Sequence, residues 1–111
     1  MRRYERTDRL NELLMRVLAV EIERLDDDRL GFATITGVQT DRDLSSARVF
    51  VAAQIPDEEL VVFLEEHRPS LQRAISEQTR LKRIPPLTFV PDRTIREADR
   101  IEAILRELNR E

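Results

Sequence analysis

The chain has no cysteine and no tryptophan, two glycines, and only five aromatic residues, four phenylalanines and one tyrosine. Without cysteine there can be no disulfide and no thiolate metal ligand, so nothing in it depends on an oxidising compartment. A single histidine, His67, leaves no His/Cys set at metal-binding spacing, and the two glycines, Gly31 and Gly37, are too few for a phosphate-cradling glycine loop. No apolar run approaches the roughly 18 residues that a membrane helix requires. The first nine residues are basic, but Glu5 and Asp8 interrupt them and no apolar stretch follows. A secretory leader is therefore not expected, and an arginine-rich organellar presequence is disfavoured by those acids. Asp41 and Asp43 are the nearest thing to paired carboxylates, yet turn chemistry explains them, and no nucleophile accompanies them. The expectation is a cytoplasmic protein that is not an enzyme, with no catalytic residue, no metal and no cofactor.

Charge is what the chain has in quantity. Charged residues make up 37% of it, with a formal net charge of −3. That total excludes sequence-blind coating of nucleic acid. Between Arg68 and Arg83, however, stand Arg68, Arg73, Arg80, Lys82 and Arg83 against one acid, Glu77. This stretch is +4, which leaves −7 for the remainder. A positive patch on an acidic protein points to a local nucleic-acid contact. Arg6 and Arg9, with Arg2 and Arg3 before them, are candidates to extend it from the N-terminal side, the bland alternative being a frayed terminus. For the stretch itself the bland alternative is a solvated helix face, the usual fate of charge clusters.

Hydrophobic spacing predicts the elements. Leu10, Leu13, Leu14, Val17, Leu18, Ile22 and Leu25 recur at intervals of three and four and mark an amphipathic helix, capped by Thr7 or Asp8 and stopped by Asp26-Asp27-Asp28. Residues 32–40, rich in threonine and β-branched side chains, read as a strand. After the turn at 41–46, the alternation of Ala47, Val49, Val51 and Ala53 predicts a second strand and an antiparallel hairpin. Pro56 and Asp57 open a second helix that should end near His67, because a residue preceding proline is pushed out of the helical region. Pro69 then starts a third helix, with Leu71, Ala74, Ile75 and Gln78 inward. Pro85-Pro86 breaks the chain before a short strand from Leu87, and Thr94-x-x-Glu97 caps a terminal helix over about 94–110 with an apolar stripe of Ile101, Ile104, Leu105 and Leu108. The fold class is α+β: a three-stranded sheet with helices on one face, in a single domain over 1–111 with its core at about 6–92.

Several strings, in order, resemble the bacterial ribosome-binding factor A family. They are Asp28-Arg29-Leu30-Gly31, Thr34-x-Thr36-Gly37-Val38, Asp41-Arg42-Asp43-Leu44, Ala47-Arg48-Val49-Phe50-Val51, and Arg80-Leu81-Lys82-Arg83-Ile84-Pro85-x-Leu87-Thr88-Phe89. The likeness runs from about Arg6 to Asp92. It implies a KH-like type II fold (αββααβ) and a non-catalytic assembly factor associated with growth in the cold. Such a factor binds the immature small (30S) ribosomal subunit, assists late maturation of its 16S ribosomal RNA and leaves before translation. KH domains clamp RNA with a Gly-x-x-Gly loop between helices, and this chain has none. The family's Ala-x-Gly kink aligns with His67-Arg68-Pro69, and the arginine that follows it in the family is Gln72 here. Proline replaces glycine as the source of the bend, and it offers no N–H to a phosphate.

Other residues are weighed more plainly. His67, alone near a helix end, reads as a solvated cap. Phe32, Phe50, Phe63 and Phe89 sit at core-like positions and read as packing rather than as stacking platforms for bases, so recognition by backbone and shape is the expectation. A rival of another class is a protein-interaction or oligomerising module using the terminal helix. If its stripe covers the chain's own sheet, a monomer is expected; if it covers a second copy, a dimer. A BolA-like iron–sulfur partner is remote without cysteine.

Overall fold

The computed structural model describes residues 6–109, with side chains for 7–93 and 101–109. Helix α1 (Arg6–Arg24) is followed by a single 3-10 turn, Asp28–Leu30, then strands β1 (Thr34–Thr40) and β2 (Ala47–Ala52). Helix α2 (Asp57–Gln78), strand β3 (Leu87–Pro91) and helix α3 (Thr94–Asn109) complete the order. The sheet runs β1-β2-β3, antiparallel between β1 and β2 and parallel between β2 and β3. Parallel neighbours need a long crossover, and α2 supplies it.

One face of the sheet is buried. Ile35, Val49, Val51, Leu87 and Phe89 meet Leu14, Leu18 and Ile22 of α1 and Leu60, Leu64, Leu71 and Ile75 of α2 in one cluster. The alternation of β2 is realised directly: Ala47, Val49 and Val51 are buried while Arg48, Phe50 and Ala52 are exposed or half-buried. A bulge between Ile35 and Gly37 leaves Thr36 unpaired in the ladder, and its hydroxyl donates to Asp92 Oδ2 at 2.5 Å, tying β1 to the end of β3.

Three expectations need correcting. The chain does not divide into two helices at His67-Arg68-Pro69; α2 is continuous through Pro69. The element order is therefore αββαβα, with one long helix where two were expected. Proline removes one rung and crowds the carbonyl one turn back, a cost that core burial on both sides offsets. Leu60, Leu64, Leu71 and Ile75 are all buried, and steps of four, seven and four place them on one helical stripe across the proline. Gln78 is exposed rather than inward, its amide donating to Glu21 Oε1 on α1 at 2.8 Å. Phe32 lies before β1 and is 92% exposed, unlike buried Phe89 and the half-buried Phe50 and Phe63.

The Thr94-x-x-Glu97 capping box lies outside the described side chains. The stripe of α3 is exposed, with Ile101, Ile104, Leu105 and Leu108 between 51% and 63% accessible, so it does not cover the sheet. No helix among the described residues is long and apolar enough to cross a membrane.

Candidate nucleic-acid interface

The basic stretch separates into two environments. Before Pro69, charges are consumed internally. Asp27 caps the 3-10 turn by accepting from the Arg29 amide at 3.1 Å, and its carboxylate also receives Arg29 Nε at 2.9 Å and Nη2 at 2.7 Å. Arg29 Nη2 reaches on to Glu66 of α2 at 2.5 Å, and the guanidinium carbon stands 4.3 Å from the centroid of the Phe63 ring. His67 Nε2 lies 2.7 Å from Asp27 Oδ2. The hydrogen bond from Arg29, then that from His67, hold the Asp27 carboxyl well below the usual carboxylate range. An ionised carboxylate only accepts, so His67 Nε2 carries the proton between them. Glu66 is lowered by its bond from Arg29, and Arg29 is raised, chiefly by Asp27 and then by Glu66.

His67 is thus no solvated cap: its side chain is 26% exposed and it ties α2 to the 3-10 turn that follows α1. Arg68, half-buried, pairs with Glu65 one turn back. Of the expected kink residues, His67 and Arg68 are engaged inside the chain and Pro69 sits within a helix.

After Pro69 the pattern reverses. Arg73 projects from α2, and Arg80, Lys82 and Arg83 project from the segment that follows it; all four are exposed, with no ion pair among the described residues. This segment is irregular but firmly seated. The Thr79 hydroxyl donates to the Ile75 carbonyl at 2.7 Å, closing α2, and accepts from the Leu81 amide at 3.3 Å. Leu81 and Ile84 pack against the core, Pro85 is fully buried, and the Pro86 carbonyl accepts from the Ala47 amide at 2.9 Å. Inward Leu81, Ile84 and Pro85 leave Arg80, Lys82 and Arg83 no direction but outward.

Leu81 also lines a groove of about 440 Å³ with Thr7, Arg9, Leu10 and Leu13 of α1 and Arg42 and Leu44 of the β1–β2 turn. Arg9 thereby lines the same groove as Leu81 of the 80–83 segment. Arg6 begins α1, but its side chain is outside the described set, as are Arg2 and Arg3 entirely. Arg42 and Leu44 were not anticipated as site residues. The signal for Leu44 was present: a large apolar side chain in an otherwise polar turn. Its φ is +61°, the only positive value among described non-glycine residues. A leucine persists in that conformation only where its surroundings over-determine it.

Comparison with known proteins decides the family. The profile of the ribosome-binding factor A family matches residues 6–105. This chain belongs to the ribosome-binding factor A family. Ribosome-binding factor A of Rubrobacter xylanophilus is 38% identical over 109 residues, covering 96% of this chain and 89% of that protein. The Aliivibrio fischeri relative is 34% identical over 111 residues, covering 95% and 82%. The crystal structure of ribosome-binding factor A from Thermus thermophilus superposes with a TM-score of 0.74 at 33% identity, over 79% of this chain and 97% of that one. Coordinates of Thermus thermophilus ribosome-binding factor A fitted into the cryo-EM map of a 30S complex match with a TM-score of 0.67 at 34% identity, over 76% and 92%.

Proposed function

We propose that this chain is a cytoplasmic, non-catalytic assembly factor that binds the immature 30S subunit, contacts its 16S ribosomal RNA and assists its late maturation, acting as a single domain. Family membership and the 30S complex of the Thermus relative support the partner. The observation that carries the RNA contact is the seated 80–83 segment, which presents Arg80, Lys82 and Arg83 outward from anchors packed against the core. Arg73 and Arg9 contribute further cations, with Arg6 one turn before Arg9 on α1. Arg68 contributes less, because Glu65 already neutralises it. Contacts of this kind hold phosphates and set orientation without reading sequence. Co-sedimentation with immature and mature small subunits tests the proposal: the immature particle should retain more protein, and equal absence from both would refute it.

The exposed stripe of α3 favours a second reading, a protein-interaction or oligomerising surface. If it makes a dimer, the Ile104→Glu/Leu108→Glu double variant becomes a monomer by sedimentation velocity; if the chain is already a monomer, self-association falls.

A further inference from the structure

We propose that the groove bounded by the start of α1, the β1–β2 turn and Leu81 receives one unstacked base of single-stranded RNA, while the cations around it hold the neighbouring phosphates. The inference rests on the RNA-binding reading above and names the part of the RNA that this surface takes. Four half-buried leucines, Leu10, Leu13, Leu44 and Leu81, line it together with Arg9, Arg42 and Thr7. Both arginines are exposed, and Arg80 and Lys82 flank Leu81 in the chain, exposed as well. An apolar hollow ringed by guanidinium and ammonium groups complements a heterocycle on a polyanionic backbone, because arginine planes stack on bases and also bind phosphate. A protein helix would need anchors spread over two or more turns, which a hollow of about 440 Å³ does not offer.

The two acids of the turn are held by the turn itself. Asp41 Oδ2 accepts from the Ser46 hydroxyl at 2.7 Å, and Asp43 Oδ1 accepts from the Ser45 amide at 3.1 Å. The Leu44 amide donates to the Asp41 carbonyl at 2.9 Å, so the turn that fixes these carboxylates also holds Leu44 in its positive-φ conformation. The turn is thus spent on placing one apolar side chain in the lining of that hollow. This site needs no Gly-x-x-Gly clamp, and Pro69 is not among the residues that line it.

The test uses two single-stranded RNA pentamers with the same phosphates, one with all its bases and one abasic throughout, and measures their binding by fluorescence anisotropy at low salt. The intact pentamer should bind about fivefold to tenfold more tightly. Leu44→Gly suits a φ of +61° and removes the side chain. It should fold, as circular dichroism and melting will show, and should bring the two affinities together. Arg42→Gln, which removes one charge at the groove, should weaken both pentamers alike and leave their difference standing. Equal binding of both pentamers by the unaltered protein overturns the base site while leaving the backbone contact standing. Discrimination that survives in a folded Leu44→Gly variant overturns its location. Binding of neither pentamer overturns the base site too, and co-sedimentation with small subunits then reports separately on RNA binding as a whole.

Discussion

The segments on either side of Pro69, residues 57–68 and 70–83, carry similar numbers of charged residues and use them in opposite ways. Upstream of Pro69, Glu65, Glu66, His67 and Arg68 are each matched to a partner, and Asp57 at the start of the helix takes Arg93 at 2.6 Å. Downstream, Arg73, Arg80, Lys82 and Arg83 have no ion pair among the described residues. A pair already closed has little to gain from a phosphate, because its carboxylate must first be displaced. An exposed, unpaired cation releases counterions when phosphate arrives. Contiguous in sequence, the basic stretch is therefore scaffold at Arg68 and surface from Arg73 onward.

The sharpest way to break this contrast is to reverse Arg80, Lys82 and Arg83 to glutamate together. Affinity for the immature small subunit should fall by about tenfold or more at low salt, with the melting temperature little changed, since the anchors Leu81, Ile84 and Pro85 remain. Co-sedimentation and calorimetry read the two effects separately; retained binding would move the surface elsewhere.

Pro69→Ala tests the junction between the two segments. Restoring a helical rung should stabilise the protein by about 1–3 kcal/mol in chemical denaturation. A loss of stability would mean that the helix relies on the proline.

The Asp27 cluster gives a pH signature. Its folded-state carboxyl sits below the unfolded value, so its contribution is fully present above about pH 4 and is lost as pH falls from there towards the folded value. Glu66 shifts in the same direction and adds to the slope. Asp27→Asn should flatten the acid limb of a stability–pH curve, and an unaltered limb would show that the cluster contributes nothing. The smallest effect belongs to Arg68→Ala: subunit affinity within about twofold, and stability within about 1 kcal/mol for a half-exposed pair on one helix. A large loss of binding there would erase the distinction between the two segments.

Much of the architecture was legible because periodicity encodes it. The stripe of α1, the alternation of β2 and the three acids opening α2 each state their element locally. The division at Pro69 misread the sequence because a local rule about proline was set above the longer pattern, the buried stripe from Leu60 to Ile75 that continues across it. At the site, the exposed cations were visible as composition, whereas their freedom was not. Arg68 pairs with Glu65 one turn back, which spacing could have shown, but Arg29 reaches Glu66 and His67 reaches Asp27 across 37 and 40 residues. No spacing rule reaches that far. The groove was hidden for the same reason: its lining is assembled from α1, a turn and the segment after α2.

The most direct measurement is a salt series of subunit binding for the unaltered protein beside the Arg80→Glu/Lys82→Glu/Arg83→Glu variant. With three or four phosphates neutralised, the logarithm of affinity should fall with the logarithm of salt at a slope of about −2 to −4, and the variant should lose most of that slope. An affinity for the immature subunit that does not change with salt would contradict the account.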